Sequence, residues 1–237
     1  MSKKLKAILA VLCAVVLVFA SVAGTMAFLT ASSGAVTNTF MAGDDLVEEP
    51  ENPEDPSNPD PTENGLHLLE NIATLSETTG NYELGEGYCY ENSYTVVPGM
   101  LIPKNPAVSI VGKTETPAYL FFEVVDGLDN TDEILTYSIN TENWLLLEGV
   151  TGANGGAVYA YTTDNSTAAI VTADVSATSI LTDDQIAVSA DATLEQIKAA
   201  MEGDGLVFYA YLAQAGGFES AAEAYTTCFP ASSPEPA

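Results

Sequence analysis

The chain has very little positive charge. It contains no arginine and only 6 lysines against 33 acidic residues, which gives a formal net charge of −27 at pH 7. Nucleic acids and anionic lipid surfaces are bound mainly through lysine and arginine, so the composition argues against both kinds of partner. The same charge opposes self-association unless protons, salt or cations screen it.

Histidine and cysteine are also scarce. His67 is the single histidine, so the sequence has no His-Glu-x-x-His zinc motif, and serine or cysteine nucleophiles have almost no histidine to use as a base. Neither Cys89 nor Cys228 lies in a nucleophile motif. We therefore predict no enzymatic activity, no cofactor and no metal site. His67, between Leu66 and Leu68, is expected on the surface of a strand.

One acidic loop leaves a weaker alternative open. Asp126, Asp129 and Asp132 could gather around calcium, which prefers carboxylate oxygens. Their spacing does not match an EF-hand loop, and a solvated turn is the favoured interpretation.

The N-terminus has the pattern of an export signal. Lys3, Lys4 and Lys6 precede an apolar run and a small-residue site that ends at Ala27. We predict a signal peptide over residues 1–27, cleaved by a signal peptidase between Ala27 and Phe28. An uncleaved anchor is the alternative, but no positive charge follows the apolar run to stop transfer.

Several consequences follow from cleavage. The mature protein would be secreted, extracellular or associated with the cell surface, without a stable membrane anchor. It would keep 3 lysines and all 33 acidic residues, a formal charge of −30. In an oxidising exterior Cys89 and Cys228 could form one disulfide, or they could remain two separate buried thiols.

Composition divides the rest of the chain into four parts. Residues 28–46 form a short arm, and residues 47–63 form an acidic, proline-rich linker that cannot bury enough apolar surface to fold. Residues 64–229 have the short strands and regular turn signals of an antiparallel β-sandwich or barrel. Residues 230–237 are expected to be a disordered tail.

The predicted strands are rich in β-branched and aromatic residues. We expect Trp144, Phe121 and Tyr119 to anchor the core, and the run Leu120, Phe121 and Phe122 to lie in a strand covered on both faces. The strands are predicted at Tyr94 to Val97, Ala107 to Val111, Ala118 to Val125, Leu135 to Ile139, Trp144 to Leu147, Val158 to Thr162, Ser179 to Leu181 and Leu206 to Ala213.

Two segments break the β pattern. A capping box at Thr193 to Gln196 predicts a helix that ends at Gly203 and shares one face among Leu194, Ile197 and Met201. A second capping box at Ser220 to Glu223 predicts a helix that buries Ala221, Ala224 and Tyr225.

Three stretches carry a resemblance to a known family. They are the run from Val97 to Val108 with Pro98, Gly99, Pro103, Lys104 and Pro106, the start Ala27 to Thr30 leading to Thr37 to Phe40, and the late run from Phe208 to Phe218. Together they resemble the TasA and camelysin family of exported surface proteins. The signal resembles those processed by SipW-type signal peptidases.

The resemblance implies a fold and a function. It implies a jelly-roll-like β-sandwich, secretion, and the assembly of some members into biofilm matrix fibres. The N-terminal segment of each subunit would insert as a strand into the next, with Val36, Asn38 and Phe40 on one side of the extended arm. The prolines would fix turns at strand ends, and Lys104 would pair with a nearby carboxylate.

We therefore predict a non-enzymatic surface or matrix protein that associates with itself or with related matrix subunits. One alternative is a monomeric surface adhesin or ligand-binding sandwich. The other is a secreted metallopeptidase, since some camelysin relatives are classed as such, and the missing zinc motif argues against it.

Overall fold

The computed structural model describes residues 30–33, 60–128, 133–201 and 205–231. The predicted cleavage site at Ala27 and Phe28 and the arm residues Val36, Asn38 and Phe40 lie outside these ranges. So do Asp129, Asp132 and Gly203, most of the linker and residues 232–237 of the tail.

Short antiparallel strands make up most of the described chain. The strands are β1 (Thr30–Ser33), β2 (Gly65–Leu75), β3 (Tyr82–Cys89), β4 (Leu101–Pro103), β5 (Ala107–Val111), β6 (Ala118–Gly127), β7 (Leu135–Thr136), β8 (Trp144–Thr151), β9 (Ala157–Tyr161), β10 (Ile170–Val171), β11 (Val175–Ser179), β12 (Gln185–Val188) and β13 (Gly205–Gln214). The α-helices are α1 (Leu194–Ala200) and α2 (Ala221–Cys228).

These strands form three sheets. The largest has the order β1-β13-β6-β9-β8, with β10 also pairing β6. The second has the order β11-β5-β2-β3, and the third has the order β4-β12-β7. The predicted antiparallel β-sandwich with two short helices is therefore confirmed.

β6, in the middle of the largest sheet, is buried on both faces, as predicted from its consecutive apolar residues. Leu120 and Phe122 contribute to the main core together with residues of the two smaller sheets. Phe121 points to the opposite face and joins a second cluster that includes Tyr225 of α2. Alternate residues of a strand thus serve two cores, which is why this segment lacks the usual alternation with polar residues.

The expected core anchors are confirmed, with one difference in degree. Trp144 and Phe121 are fully buried. Tyr119 is half-buried and packs at the margin of the second cluster. The Trp144 indole also donates a hydrogen bond of 2.9 Å to the carbonyl of Ser179, so its one polar group is satisfied in the core.

The predicted strand at Tyr94 to Val97 is wrong, because this segment is irregular. Its polar groups are satisfied locally: the Tyr94 hydroxyl donates to the Pro103 carbonyl at 2.7 Å, and the Val97 carbonyl accepts from Met100 at 3.2 Å. The latter bond closes a turn over Pro98 and Gly99.

Two other predicted strands are shortened or displaced. The strand expected at Leu135 to Ile139 ends at Thr136, and Ile139 forms only an isolated bridge with Leu181. The strand expected at Ser179 to Leu181 lies earlier, because β11 ends at Ser179.

Both predicted helices are present. The capping box of Thr193 and Gln196 is confirmed at α1, but Leu194 and Met201 are exposed, and Ile197 is buried together with Ala200 instead. At α2, Ser220 accepts from the Glu223 backbone as predicted. The reciprocal bond differs, because the Glu223 carboxylate accepts from the Glu219 backbone.

The expected role of the prolines at strand ends agrees with the structure. Gly99 has a φ of 75°, the left-handed conformation that a type II turn with Pro98 before it requires. Pro106 directly precedes β5, and Pro103 is the last residue of β4.

Candidate functional site

The edge of the largest sheet is formed by a strand from the N-terminal arm. β1 pairs antiparallel with β13, and the register places Thr30 opposite Ala213 and Ser33 opposite Ala210. β13 is the second strand of the sheet, and its other side pairs with β6 along its whole length. The arm therefore covers a strand whose backbone would otherwise be open on that side.

β1 covers only part of β13. In the described part of the chain, the residues from Gly205 to Phe208 have no strand partner on the β1 side. They line a cleft of about 410 Å³, whose other walls include Tyr94, Ile102 and Leu128. Apolar side chains dominate this lining, and Lys104 is its one basic residue.

Lys104 pairs with a buried carboxylate, as the sequence predicted. Its Nζ donates to Glu70 Oε2 at 2.7 Å, and the two side chains are 14% and 1% exposed. The second carboxylate oxygen of Glu70 is buried without a hydrogen-bond partner. Burial of a carboxylate is costly unless a counter-charge is near, so this ion pair fixes how β2 sits against the end of β4.

A second buried carboxylate, which the sequence analysis did not single out, organises the opposite face of the largest sheet. Glu123 of β6 is fully buried and accepts hydrogen bonds from the backbone of Asn154 and Gly156, both at 2.8 Å. It also accepts from the hydroxyls of Tyr211, at 2.8 Å, and Tyr225, at 3.3 Å. The Asn154 side-chain amide donates to it as well.

This network stabilises the fold, because it ties β6, β13, α2 and the turn before β9 to one side chain. A charged residue inside the apolar run from Leu120 to Val125 was the sequence signal that could have found it, because such a residue needs internal partners.

The two cysteines are free in the structure and lie in different elements. Cys89 ends β3, and Cys228 ends α2. Burial raises the pKa of both thiols, that of Cys228 to about 11. Both therefore carry less thiolate than an exposed cysteine at neutral pH, which makes them poor nucleophiles.

The remaining candidate residues do not converge on a reactive centre. His67 lies in β2 as predicted but is buried rather than on the surface, with its Nε2 hydrogen-bonded to the Glu63 carbonyl at 2.8 Å. Asp126 accepts from the Tyr137 hydroxyl at 2.8 Å and from the Leu128 backbone at 3.1 Å, as in a closed turn. Among the described residues, no three histidine, cysteine or acidic side chains are grouped to hold a metal ion.

Neither helix within the described ranges is long and apolar enough to cross a bilayer.

Comparison with known proteins gives no match. No family model, no curated protein and no solved structure is significantly similar to this chain.

Proposed function

We propose that this protein is a secreted, non-enzymatic structural protein of the cell surface or extracellular matrix, and that its subunits join by exchanging β1. The observation that supports the proposal is the antiparallel pairing of Thr30–Ser33 with Ala210–Ala213 at the edge of the largest sheet. A pairing made within one chain can be made between two chains with the same hydrogen bonds, which is the basis of strand exchange.

The position of β1 in the chain suits such an exchange. Cleavage after Ala27 would leave β1 close to the new N-terminus, with no bulky segment before it. Residues 34–59 connect β1 to the body and could span roughly 90 Å when fully extended. A strand on a tether of this length can reach the sheet edge of a neighbouring subunit.

The charge of the protein indicates how assembly would be controlled. A mature subunit with a formal charge of −30 repels its copies at neutral pH. Protonation of carboxylates, or screening by salt or cations, weakens this repulsion. Assembly is therefore expected to increase at mildly acidic pH and at high ionic strength.

The test uses the mature protein without residues 28–46 and a synthetic peptide of those residues. The peptide should bind the shortened protein and protect the amides of Ala210 to Ala213 from hydrogen exchange. The free peptide should not restore filaments, because only an arm that is joined to a subunit can link two subunits. A peptide with Ala31→Pro and Ser32→Pro should not bind. Consecutive amides of a strand point to opposite sides, so one of these two prolines removes a donor that faces β13.

A matched control places the two prolines in the linker instead. Mature protein with Ala31→Pro/Ser32→Pro should not form filaments in negative-stain electron microscopy, whereas mature protein with Ser57→Pro/Asn58→Pro should assemble like the unmodified protein. If the proline peptide binds as well as the unmodified peptide, or if filaments form without residues 28–46, strand exchange is wrong.

A monomeric ligand-binding sandwich is the second candidate, and the cleft beside Gly205 to Phe208 favours it. Such a protein should remain a single particle at every pH and keep its ligand binding after deletion of the arm.

A further inference from the structure

The hairpin of β2 and β3 carries a concentration of exposed apolar side chains. Among the described residues, ten large hydrophobic side chains are exposed, and four of them lie on this hairpin: Ile72, Leu75, Leu84 and Tyr88, at 37% to 54%. Ala73 lies opposite Leu84, and Asn71 lies opposite Tyr88. Asn71, Ala73 and Leu75 lie on the same face of β2, and residues directly opposite each other on paired strands share a face. Leu75, Leu84 and Tyr88 therefore lie on one face of the hairpin.

β3 also has an open edge. It is the last strand of its sheet and pairs with β2 alone within the described ranges. Every residue from Glu83 to Tyr88 is exposed. An edge of this kind presents backbone donors and acceptors that can pair with another polypeptide.

The opposite edge of the hairpin is closed by side chains. Asn92 accepts from the Ala73 backbone at 2.7 Å and donates to the Asn71 carbonyl at 2.8 Å, so its amide takes the place of a neighbouring strand. Asn105 accepts from the Asn71 backbone at 3.0 Å. Among the described residues, the chain thus covers one edge of the hairpin and leaves the other accessible.

Charge at the open edge disfavours pairing between two copies. Glu77, Glu83, Glu86 and Glu91 are exposed on the hairpin and its exit, and the sequence has no lysine or arginine between Lys6 and Lys104. Two such edges would bring like charges together, whereas a basic strand would neutralise them.

We infer that the β3 edge is a docking site for an extended basic polypeptide in which apolar residues alternate with lysine or arginine. The backbone of this partner would add a strand beside β3. Its apolar residues would cover Leu84 and Tyr88, and its cationic residues would pair with Glu83 and Glu86. The site is separate from the β13 edge and does not depend on strand exchange there.

The experiment measures binding of a labelled peptide of about ten alternating lysine and valine residues, a typical strand length, by fluorescence anisotropy at low salt. The variant Glu83→Lys/Glu86→Lys should bind at least about tenfold more weakly than the unmodified protein. The control variant Glu142→Lys/Glu195→Lys changes two other exposed carboxylates, has the same net charge, and should bind nearly as well as the unmodified protein.

A second readout locates the peptide. Hydrogen exchange should show new protection of amides between Tyr82 and Cys89, and a peptide with glutamate in place of lysine should give none. Equal weakening in both charge variants would mean attraction by net charge alone and would overturn the proposal. Protection at another edge, or association of β3 edges between copies without peptide, would also overturn it.

Discussion

At the scale of single residues, Lys104 contributes most through the carboxylate that it neutralises. Lys104→Met would leave Glu70 buried without a counter-charge, and we expect a loss of about 3–5 kcal/mol in the free energy of unfolding. The double variant Lys104→Met/Glu70→Leu should recover much of this loss, because it removes both charges. Urea denaturation measures all three proteins.

The exposed Lys113 provides the control for this prediction. Lys113→Met should change the free energy of unfolding by no more than about 0.5 kcal/mol. If Lys104→Met is equally mild, the pair with Glu70 does not contribute to stability in solution.

Gly152 shows a second effect at this scale, since the turn before β9 approaches Glu123 closely. A Cβ at Gly152 would overlap the Glu123 carboxylate, whereas one at Gly216 would meet no atom within 4 Å. We expect Gly152→Ala to lower the free energy of unfolding by roughly 3 kcal/mol, and Gly216→Ala to change it by less than about 1 kcal/mol. Thermal denaturation of the two variants, which differ only in position, checks the prediction; similar melting temperatures would contradict it.

At the scale of elements, Asn92 determines whether the edge of β2 is closed. Asn92→Ala leaves a backbone donor and a backbone acceptor of β2 without their partner, at a cost of about 1–3 kcal/mol. The amide of Ala73 should then exchange with solvent faster. Asn81→Ala, in the same hairpin and exposed, should leave that exchange rate unchanged. Slow exchange at Ala73 in the Asn92 variant would show that another group closes the edge.

The elements also show which parts of the fold can be predicted from the sequence. β6 and β13 were predicted within two residues at either end, because apolar and aromatic residues fill most of their length. β3 was not predicted, because its sequence contains two glycines and two glutamates and most of its residues are exposed. Tyr94 to Val97 was predicted as a strand on composition alone, but the segment is irregular, with the Tyr94 hydroxyl bonded to the Pro103 carbonyl and the Val97 carbonyl closing a turn with Met100.

The candidate sites were predictable to a similar degree. Lys104 was expected to pair with a carboxylate, but the choice of Glu70, 34 residues away, depends on how β2 and β4 meet in the fold. The arm, residues 28–46, was expected to be extended and to act as a strand, and a strand lies within it at Thr30–Ser33. Val36, Asn38 and Phe40 lie outside the described residues. Short polar strands such as this one have no pattern that separates them from a turn.

At the scale of the whole molecule, the buried tyrosines set a limit to stability at high pH. Burial raises the pKa of Tyr94, Tyr137, Tyr159, Tyr211 and Tyr225 above the ordinary value of 10.0. The unfolded chain releases these protons at a lower pH than the folded chain does. Their contribution to stability is therefore complete below about pH 9 and is lost as the pH rises through the ordinary value and beyond it.

We expect the free energy of unfolding to decrease from about pH 9 to about pH 11. Urea denaturation across this range measures the decrease, and ultraviolet absorbance of tyrosinate should appear at higher pH in the folded protein than in the denatured one. Most carboxylates are already ionised at pH 8, so added salt should not abolish the trend. Constant stability, or tyrosinate at the same pH in both states, would contradict the prediction.

The position of β13 between β1 and β6 also has a consequence for the order in which the chain can fold. β13 pairs with β6 along ten residues and with β1 on its other side, and β1 lies much earlier in the chain. During synthesis from the N-terminus, the largest sheet cannot be completed until Gln214 has been made. Contacts so distant in sequence form slowly, because a long loop must close first. β1 and β6 therefore wait for β13 before the largest sheet can close.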